Sequence, residues 1–460
     1  MSKPIIDPSI FRDYDIRAVV PKELNKEGLE TIAKAIIEVF APQSVQIGRD
    51  MRTTSPEFHK AFIETFINYG VNVVDIGLIS TDMLYFAAGT FDEDMAITVS
   101  ASHNPPEYNG LKIAKKGSIA VSGDSGIYDI REKALNSDFS SLKSDKKGEL
   151  TQRDIMGAWI DHLMKFIDPG KMKPFHIVSD TGNGMAGHFM PHLESKLPWR
   201  VERLFYDLDG TFPNHIPSPI EIKNMQDCIN KVRETGADVG MAFDGDGDRV
   251  FLVDETGRIV SGTVMTAIIA DNLLQKNENK TILYNAIVGR VVKEVTEERG
   301  GKPIRVRVGH TLIKEAMRKE DGLFCGEHSG HYYFKENFYA DSAIIAALLV
   351  LEQMSIQNKK LSELVDQYDK YFASGEINFT VEDKQNTMKL IGEAYQDSAQ
   401  FIDWLDGVTV WFKDYWFNVR PSNTEPLLRL NVEADTKELM EKYKAELVDK
   451  IQELGGTMKS

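Results

Sequence analysis

Residues 44–77 read SVQIGRDMRTTSPEFHKAFIETFINYGVNVVDIG, and this stretch indicates the fold. The segments SVQIGRD and VNVVDIG at its two ends are short and have the composition of strands. The segment SPEFHKAFIETFINYG between them has apolar residues at helical spacing. A strand, a helix and a second strand in this order predict a mostly parallel sheet with helices on its faces.

The same alternation continues along most of the chain. FHIVSDTGNG is followed by the helical segment MAGHFMPHLESKL, and KTILYNAIVG, RVVKEVTEERGG, KPIRVRVG and HTLIKEAMRK repeat the pattern. Residues 371–460 differ, because they combine helices with the hairpin-like pair LDGVTVWF and WFNVRPSN. We therefore predict three similar mixed-sheet α/β domains, 1–150, 151–254 and 255–370, and a smaller α+β domain, 371–460.

Composition excludes several classes of protein. The longest apolar stretch, AIIAALLVLE from Ala343, is about half the length that a membrane span needs. The start of the chain has no long apolar region of the kind found in secretory signals, and two cysteines cannot build a disulfide framework. We expect a cytoplasmic protein with no membrane partner, either a monomer or a dimer.

A formal charge of −16 argues against a nucleic-acid partner, whose binding surface is basic. It leaves room for a small phosphorylated ligand, which needs only a local basic pocket.

The motif FDGDGDRVFLV, from Phe243, carries the sharpest chemical signal. Asp244, Asp246 and Asp248 alternate with glycines, which allow the backbone to bend so that the carboxylates converge. Three such anions suit Mg²⁺ and leave positions open for a phosphate oxygen. A calcium EF-hand fits less well, since Arg249 stands where that loop needs glycine and RVFLV has the pattern of a strand. A solvated acidic turn is the remaining alternative.

A second motif, TVSASHNPPEYNG at residues 98–110, contains two serines beyond a buried run. Reactive groups in open α/β sheets lie beyond the carboxyl ends of strands. Ser100 and Ser102 share the same strand parity, so alternation does not choose between them. Ser102 lies further beyond the strand.

Two further motifs predict binding loops. RPSNTEPLLR, from Arg420 to Arg429, places hydroxyls, an amide and turn-forming backbone between two arginines, which suits a phosphate group. CGEHSGHYYF offers Glu327 and Ser329 around Gly330, and a carboxylate with a hydroxyl suits sugar hydroxyls.

Taken in order, these four motifs resemble those of the α-D-phosphohexomutase superfamily, and of bacterial phosphomannomutase/phosphoglucomutase enzymes in particular. FRDYDIR, GRDMRTTS, DTGNGMAG, DGTFPNHIPSP and VGHTLIKEAM are also similar to segments of that family. The resemblance covers nearly the whole chain and implies four domains around a central cleft. It implies reversible transfer of a phosphoryl group between the 1- and 6-positions of mannose or glucose phosphate. The route would be a phosphoserine enzyme and a hexose 1,6-bisphosphate, with Mg²⁺ as cofactor and glucose or mannose 1,6-bisphosphate as activator.

The resemblance also assigns roles by position, with Ser102 as the phosphoryl carrier and Ser100 as a bystander. The implied catalytic residues are Ser102, His103, Lys112, Arg249, His310 and His331. The implied metal ligands are Asp244, Asp246 and Asp248, with the phosphate on Ser102. The implied contacts to the phosphosugar are Tyr14, Arg17, Lys314, Glu327, Ser329, Arg420, Ser422, Asn423, Thr424 and Arg429.

Three questions stay open at this level. The general base could be Lys112, His310 or His331. The substrate could be an amino sugar, which would make the protein a phosphoglucosamine mutase. A phosphatase with a serine nucleophile would need the same serine and metal loops.

Overall fold

The computed structural model describes residues 3–422 and 427–459, which form two compact units. Unit 1 contains the chain through Val260 together with Ser329–Ser362. Unit 2 contains Ser261–His328 and the chain from Glu363 onward. The four predicted domain boundaries remain predictions, because the division into units follows different lines.

The first part of unit 1 is a mixed sheet with helices. Its elements are β1 (Ile16–Val19), α1 (Lys26–Phe40), β2 (Ser44–Arg49), α2 (Ser55–Asn68), β3 (Asn72–Leu78), α3 (Thr81–Thr90), β4 (Met95–Val99), β5 (Tyr108–Lys115), β6 (Ile119–Ala120), α4 (Tyr128–Asn136) and β7 (Leu150–Gln152). β2 pairs in parallel with β3 and β4, as residues 44–77 predict, while β5 runs antiparallel to β4 and β1. The carboxyl ends of β2 and β4 therefore lie side by side, and the loops that follow them are neighbours.

The second sheet of unit 1 is also mixed. Its elements are α5 (Met156–Leu163), β8 (His176–Asp180), α6 (Ala186–Glu194), β9 (Arg200–Leu204), α7 (Gln226–Thr235), β10 (Val239–Phe243) and β11 (Val250–Asp254). β8 pairs in parallel with β9 and β10, and β10 pairs antiparallel with β11. Both β10 and β11 are buried throughout, so the acidic loop between them is held by rigid strands.

Residues 261–365 contribute elements to both units. These are α8 (Gly262–Lys276), β12 (Thr281–Asn285), α9 (Arg290–Glu298), β13 (Lys302–Val306), α10 (His310–Lys319), β14 (Phe324–Gly326), β15 (Tyr332–Phe334), β16 (Ala340–Asp341), α11 (Ala343–Gln357) and α12 (Leu361–Val365). In unit 2, β12 pairs in parallel with β13 and β14, whereas in unit 1 β15 pairs antiparallel with β16.

The most apolar segment of the chain forms α11, which is buried from Ala343 to Ser355 and packs on β11. A helix that is apolar on all sides is expected in a protein interior as well as in a membrane. Within residues 3–422 and 427–459, no helix is both long and apolar enough to cross a membrane.

The C-terminal part of unit 2 is an antiparallel sheet with two helices. Its elements are β17 (Phe372–Ala373), β18 (Ile377–Thr380), α13 (Lys384–Tyr395), β19 (Phe401–Asp403), β20 (Val408–Trp411), β21 (Tyr415–Pro421), β22 (Leu428–Ala434), α14 (Lys437–Glu453) and β23 (Thr457–Met458). The strand order is β19-β20-β21-β22-β18-β23, and β20 with β21 forms the predicted hairpin.

Side chains on β21 and β22 alternate between the two faces of this sheet. Phe417, Val419, Leu430 and Val432 belong to the core under the helices. Arg420 and Arg429 have the opposite parity and lie on the other face. The α/β class of the first domains and the α+β class of the last part are confirmed.

Candidate active site

The serine motif forms a loop at the carboxyl end of β4, and residues 100–102 of this loop are buried. Ser102 is 2% exposed and has a left-handed backbone, with φ of 51°. Its Oγ donates a hydrogen bond to Asp244 Oδ2 at 3.2 Å. Ser100 takes part as well, since its Oγ accepts from the Ser102 backbone N–H at 3.1 Å. The expectation that Ser100 is a bystander is therefore too simple, because its hydroxyl helps to fix the backbone of Ser102.

The acidic motif forms the turn between β10 and β11. Ligand oxygens of Asp244, Asp246 and Asp248 lie within 4.8 Å of one another, and all three residues are buried. Asp244 Oδ1 accepts from the backbone N–H groups of Asp248 and Arg249, both at 3.1 Å, and these bonds close the turn. The residues after the turn form β11, a strand, which removes the EF-hand alternative.

The serine loop and the acidic loop are in direct contact at Gly245. A Cβ atom at Gly245 would lie 2.4 Å from the carbonyl oxygen of Ser102, so only glycine fits there. On its other side, the Gly245 carbonyl accepts from the backbone N–H of Met185 at 2.9 Å. The segment DTGNGMAG, which includes Met185, thus supports the acidic loop from behind.

Two cations, the half-buried Lys112 and the buried Arg249, balance part of the acidic charge. Lys112 Nζ donates to Asp246 Oδ2 at 2.6 Å and to Asp248 Oδ2 at 2.8 Å. Arg249 Nε donates to Asp244 Oδ2 at 2.9 Å. Burial by itself would lower the pKa of Lys112, but Asp246 and Asp248 raise it well above its ordinary value. Lys112 therefore stays charged in this setting.

The carboxylates respond to the same field in opposite directions. Burial raises the pKa of Asp244 well above its ordinary value, and Asp248 adds to the rise. Burial would also raise the pKa of Asp246, but Lys112 outweighs it and the pKa falls below the ordinary range. Crowded carboxylates whose pKa values move apart are a feature of functional sites.

The carboxylate oxygens of the acidic loop are suitable ligands for a divalent cation. Oδ1 of Asp246 and Oδ1 of Asp248 are buried and, among residues 3–422 and 427–459, have no hydrogen-bond partner. Three carboxylates face the two cations Lys112 and Arg249, so negative charge is left in excess. Buried charge of this kind is costly unless a cation compensates it, and carboxylate oxygens are the ligands that Mg²⁺ prefers.

His103 lies beside Ser102 as a neutral ring. Its Nδ1 is 3.1 Å from Ser102 Oγ, and the Arg249 guanidinium contacts the same nitrogen. Burial lowers the pKa of His103 well below its ordinary value, and Arg249 and Arg17 lower it further. Arg17 Nη1 donates to Asn104 Oδ1 at 2.5 Å, which joins β1 to the serine loop.

Three other predicted residues belong to unit 1, namely His331, Ser329 and Tyr14. His331 Nε2 lies 3.7 Å from Asp248 Oδ1, and its Nδ1 is 3.1 Å from Ser329 Oγ. The motif CGEHSGHYYF thus brings one histidine, His331, to the edge of the acidic loop. Tyr14 lies just before β1 and is half-buried.

Three of the predicted residues of unit 2 lie on α10 or beside β14. His310 begins α10 and is half-buried, while Lys314 lies one turn later and is buried. Glu327 directly follows β14 and is 4% exposed, and its Oε2 accepts from Asn285 Nδ2 at 3.2 Å.

The predicted phosphate loop joins β21 to β22. Arg420 on β21 and Arg429 on β22 are directly opposite each other in the sheet register. One carboxylate serves both, since Arg420 Nη2 donates to Glu376 at 2.9 Å and Arg429 Nε lies 3.2 Å from it. Ser422 is buried, and Asn423 and Thr424 lie outside the described residues.

The sequence analysis assigned no role to three residues that contact the predicted site residues, namely Thr81, Arg52 and Glu376. Thr81 Oγ1 donates to Asp246 Oδ2 at 2.5 Å, and the Thr81 backbone N–H donates to the Asp246 carbonyl at 3.0 Å. Arg52 donates to carbonyls of the serine loop, and Glu376 pairs with two arginines. Arg52 gave a usable signal, because it is a cation just beyond the carboxyl end of a predicted strand. Thr81 and Glu376 gave none.

The regions of the chain that match known proteins contain these loops. Residues 8–139, 157–257 and 261–371 match the alpha/beta/alpha domains I, II and III of phosphoglucomutase/phosphomannomutase, and residues 376–450 match the C-terminal domain of the same proteins. The chain belongs to the phosphoglucomutase/phosphomannomutase family. It is therefore a phosphohexomutase, an enzyme of carbohydrate metabolism that acts on phosphosugars.

Individual relatives agree with this assignment. A phosphomannomutase of Escherichia coli K12 is 37% identical over 430 residues, which cover 92% of this chain and 94% of the relative. A phosphomannomutase of Methanocaldococcus jannaschii is 36% identical over 454 residues, or 98% and 99% of the two chains. The crystal structure of a phosphoglucomutase/phosphomannomutase family protein from Burkholderia thailandensis superimposes with a TM-score of 0.90 at 30% identity, covering 99% of this chain and all of the other.

Proposed function

We propose that this phosphohexomutase interconverts the 1- and 6-phosphates of mannose, glucose or both, with Ser102 as the phosphoryl carrier. The observation that carries the proposal is the bond from Ser102 Oγ to Asp244 at 3.2 Å, which joins a buried serine to a buried acidic triad. Relatives named phosphomannomutase support mannose phosphate as a substrate.

In the proposed reaction, phospho-Ser102 donates its phosphoryl group to the free hydroxyl of a hexose monophosphate. The bond from phosphorus to Ser102 Oγ breaks, a bond to the sugar oxygen forms, and the hydroxyl proton passes to a base. The product is a hexose 1,6-bisphosphate, which turns over and returns its other phosphoryl group to Ser102. Free glucose or mannose 1,6-bisphosphate would act as activator by rephosphorylating Ser102.

Positioning and charge account for most of what the protein supplies in such a transfer. Lys112 and Arg249, whose carboxylate neighbours raise their pKa values, would stay charged and offset the charge that develops on the moving phosphoryl group. Asp244, Asp246 and Asp248 would hold Mg²⁺, and the bound ion would supply Lewis-acid polarisation of the phosphoserine oxygens.

The general base remains one of three residues. Lys112 is committed to two carboxylates, and raising its pKa makes it a poor acceptor of protons. His331 lies at the edge of the acidic loop, and His310 lies at the start of α10. Of the three, His331 has the clearest support as the base, since its ring adjoins Asp248.

Binding of the substrate would use the residues of the predicted phosphate and sugar loops. Arg420, Ser422 and Arg429, with Asn423 and Thr424, would hold the phosphate that does not react, because guanidinium groups bind phosphate in a bidentate manner. Glu327 and Ser329 would hold sugar hydroxyls, and Tyr14, Arg17, His310 and Lys314 would contribute further polar groups.

A comparison of two serine variants tests the proposal. Ser102→Ala should lose at least about a thousandfold in mutase activity, because no carrier is left. Ser100→Ala removes one hydrogen bond to a backbone amide, which is worth about 1 kcal/mol, so it should lose less than about tenfold. Intact mass should give one phosphate on the purified protein and on the Ser100→Ala variant, but none on the Ser102→Ala variant.

The assay couples product formation from mannose 1-phosphate or glucose 1-phosphate and measures inorganic phosphate in parallel. Stimulation by glucose 1,6-bisphosphate without release of inorganic phosphate is the expected result. Stoichiometric release of inorganic phosphate would instead identify a phosphatase, and a fully active Ser102→Ala variant would remove Ser102 from the mechanism.

For the cell, we propose a cytoplasmic location. Cys228 and Cys325 are both buried free thiols, as expected in a reducing compartment.

A further inference from the structure

Arg52 lies under the serine loop and has no exposed surface. Its guanidinium donates to four backbone carbonyls of that loop, those of Ser102 at 2.7 Å, Asn104 at 2.5 Å, Pro105 at 2.8 Å and Tyr108 at 2.9 Å. We propose that Arg52 is a positioning residue that sets the location of the phosphoryl-carrying Ser102 by holding these carbonyls. The inference rests on the proposed role of Ser102.

The serine loop needs such a donor for a physical reason. Its carbonyls point into the protein, and a buried carbonyl without a partner costs free energy comparable to a lost hydrogen bond. The planar guanidinium carries five N–H donors in a fixed fork, so one side chain can serve several carbonyls at once. The ammonium group of lysine has only three donors around one atom and cannot reach the same set.

Ser102 is the residue that benefits most from this restraint. Its φ of 51° is in the left-handed region, which costs about 1 kcal/mol for a residue with a side chain. Such a conformation persists where the surroundings impose it. The Ser102 carbonyl is held on one side by Arg52 Nη2, and on the other side Gly245 of the acidic loop leaves it room. The same carbonyl thus links the carrier to Arg52 and to the metal-binding turn.

Arg52 is itself held in place by a buried carboxylate. Asp50 is 1% exposed, and its Oδ1 accepts from the Arg52 backbone N–H at 2.9 Å and from Ser55 Oγ at 2.5 Å. Asp50 Oδ2 lies 3.4 Å from Arg52 Nε, so the charges are paired inside the protein. The Phe212 ring lies 5.2 Å from the guanidinium carbon and covers its face. These contacts restrain the Arg52 guanidinium on several sides.

Arg52 acts on the backbone of the serine loop and on none of the reacting atoms. Its loss should therefore misplace phospho-Ser102 while the groups that bind the sugar stay as they are. A displacement of about 1 Å at a reacting atom can cost about a hundredfold in rate. The kinetic signature of this role is a fall in kcat with little change in KM.

The test uses the full-length Arg52→Lys variant, fully phosphorylated with glucose 1,6-bisphosphate before each measurement. We expect the single-turnover rate of transfer from phospho-Ser102 to mannose 1-phosphate to fall about a hundredfold, and KM to stay within about threefold. The ³¹P resonance of the phosphoserine should also shift, because its surroundings change.

Arg153→Lys is the matched control. Arg153 is an arginine of the same unit. It pairs with Glu93 at 2.9 Å and stacks on Phe91, and neither of these partners belongs to the serine loop. This variant should lose stability while its transfer rate stays within about twofold. Normal transfer in a stably phosphorylated Arg52→Lys variant, with only a lower Tm, would reduce Arg52 to a structural residue and overturn the inference.

If Arg52→Lys does not fold, Asp50→Asn replaces it, since it keeps the size of the side chain and weakens the hold on Arg52. Its transfer rate should fall about three- to tenfold with KM unchanged, and an unchanged rate would overturn the inference. Failure of the wider proposal would look different, because the protein would then carry no phosphate on Ser102 at all.

Discussion

The two regions to which we assign phosphate in the proposed function balance their charges in different ways. Around Ser102 the cations have fixed acidic partners, as Lys112 has two carboxylates and Arg249 has Asp244. On β21 and β22, two arginines share the one carboxylate of Glu376. Arg420 and Arg429 lie directly opposite each other in the sheet register, and like charges in that arrangement are unfavourable. In our proposal, the first region carries out the chemistry and the second binds the phosphate that does not react.

The largest effect should come from breaking the acidic side of the first region. Asp246→Asn removes the negative charge that Lys112 and Thr81 hold in place, and it weakens the donor set for Mg²⁺. We expect kcat to fall at least about a hundredfold and the Mg²⁺ concentration for half-maximal activity to rise. A magnesium titration of activity measures both, after removal of metal with a chelator.

Asp138→Asn is the control for that experiment. Asp138 is an exposed acid whose carboxylate accepts from Ser140, far from the acidic loop in sequence. Its magnesium dependence should match that of the unmodified protein. An Asp246→Asn variant with the same dependence would mean that the acidic triad does not hold the metal.

An arginine-to-lysine exchange in the second region should change KM, whereas the same exchange at Arg52 should change kcat. Arg420→Lys keeps the charge but loses the guanidinium fork, which is worth about 1.5–3 kcal/mol in hydrogen bonds to a charged group. We expect KM for hexose phosphates to rise about tenfold or more while kcat changes little. Arg52→Lys should do the reverse, so the pair measures the difference between the two regions.

Arg200→Lys, at an exposed position, controls for general effects of exchanging arginine for lysine. If Arg420→Lys lowers kcat and leaves KM unchanged, the division into a chemical and a binding region is wrong.

The smallest effect concerns a buried acid of unit 1 that contacts neutral donors. Asp82 accepts from Ser342 Oγ and, at 3.5 Å, from Trp159 Nε1, and burial raises its pKa to about 7. An acid with a raised pKa in the folded state stabilises the protein at low pH, and this stability is lost as pH rises from about 4 to about 7. The full difference is at most about 4 kcal/mol.

Asp82→Asn should remove this dependence. The free energy of unfolding of the variant should change less between pH 4 and pH 7, and at pH 8 the variant should be at least as stable as the unmodified protein. Chemical denaturation at several pH values measures both quantities, with the exposed Asp92→Asn as the control. A variant that keeps the full decline would show that another group causes it.

The sequence predicted the parts of the site that depend on local order. The alternation in residues 44–77 predicted the parallel pairing of β2 and β3. β2 also pairs in parallel with β4, and this second pairing brings the loops after β2 and β4 together. The glycines of DGDGDR predicted the convergence of three carboxylates, which lie within 4.8 Å of one another. Strand alternation did not choose between Ser100 and Ser102, and spacing showed only that Ser102 lies further beyond the strand; the resemblance to a known family assigned Ser102 as the carrier.

The partners of these residues could not be predicted, because they depend on contacts between distant parts of the chain. Thr81 meets Asp246 across 165 positions, and neither residue has a neighbour in sequence that signals the other. Glu376 directly precedes β18, and the sequence around it has no motif that predicts a binding role. Only the register of β18, β21 and β22 places it beside two arginines. The position of Arg52 after β2 indicates that it lies near the site, but the sequence does not predict the four backbone carbonyls to which it donates.

The course of the chain between the two units has a consequence for dissecting the gene. Ser329–Ser362 belongs to the same compact unit as the chain through Val260, and its helix α11 packs on β11. A fragment ending at Val260 would keep the serine and the acidic triad but expose the apolar surface that α11 covers. Expressed alone, such a fragment would aggregate, so a shortened version must carry the later segment back to it through a designed linker.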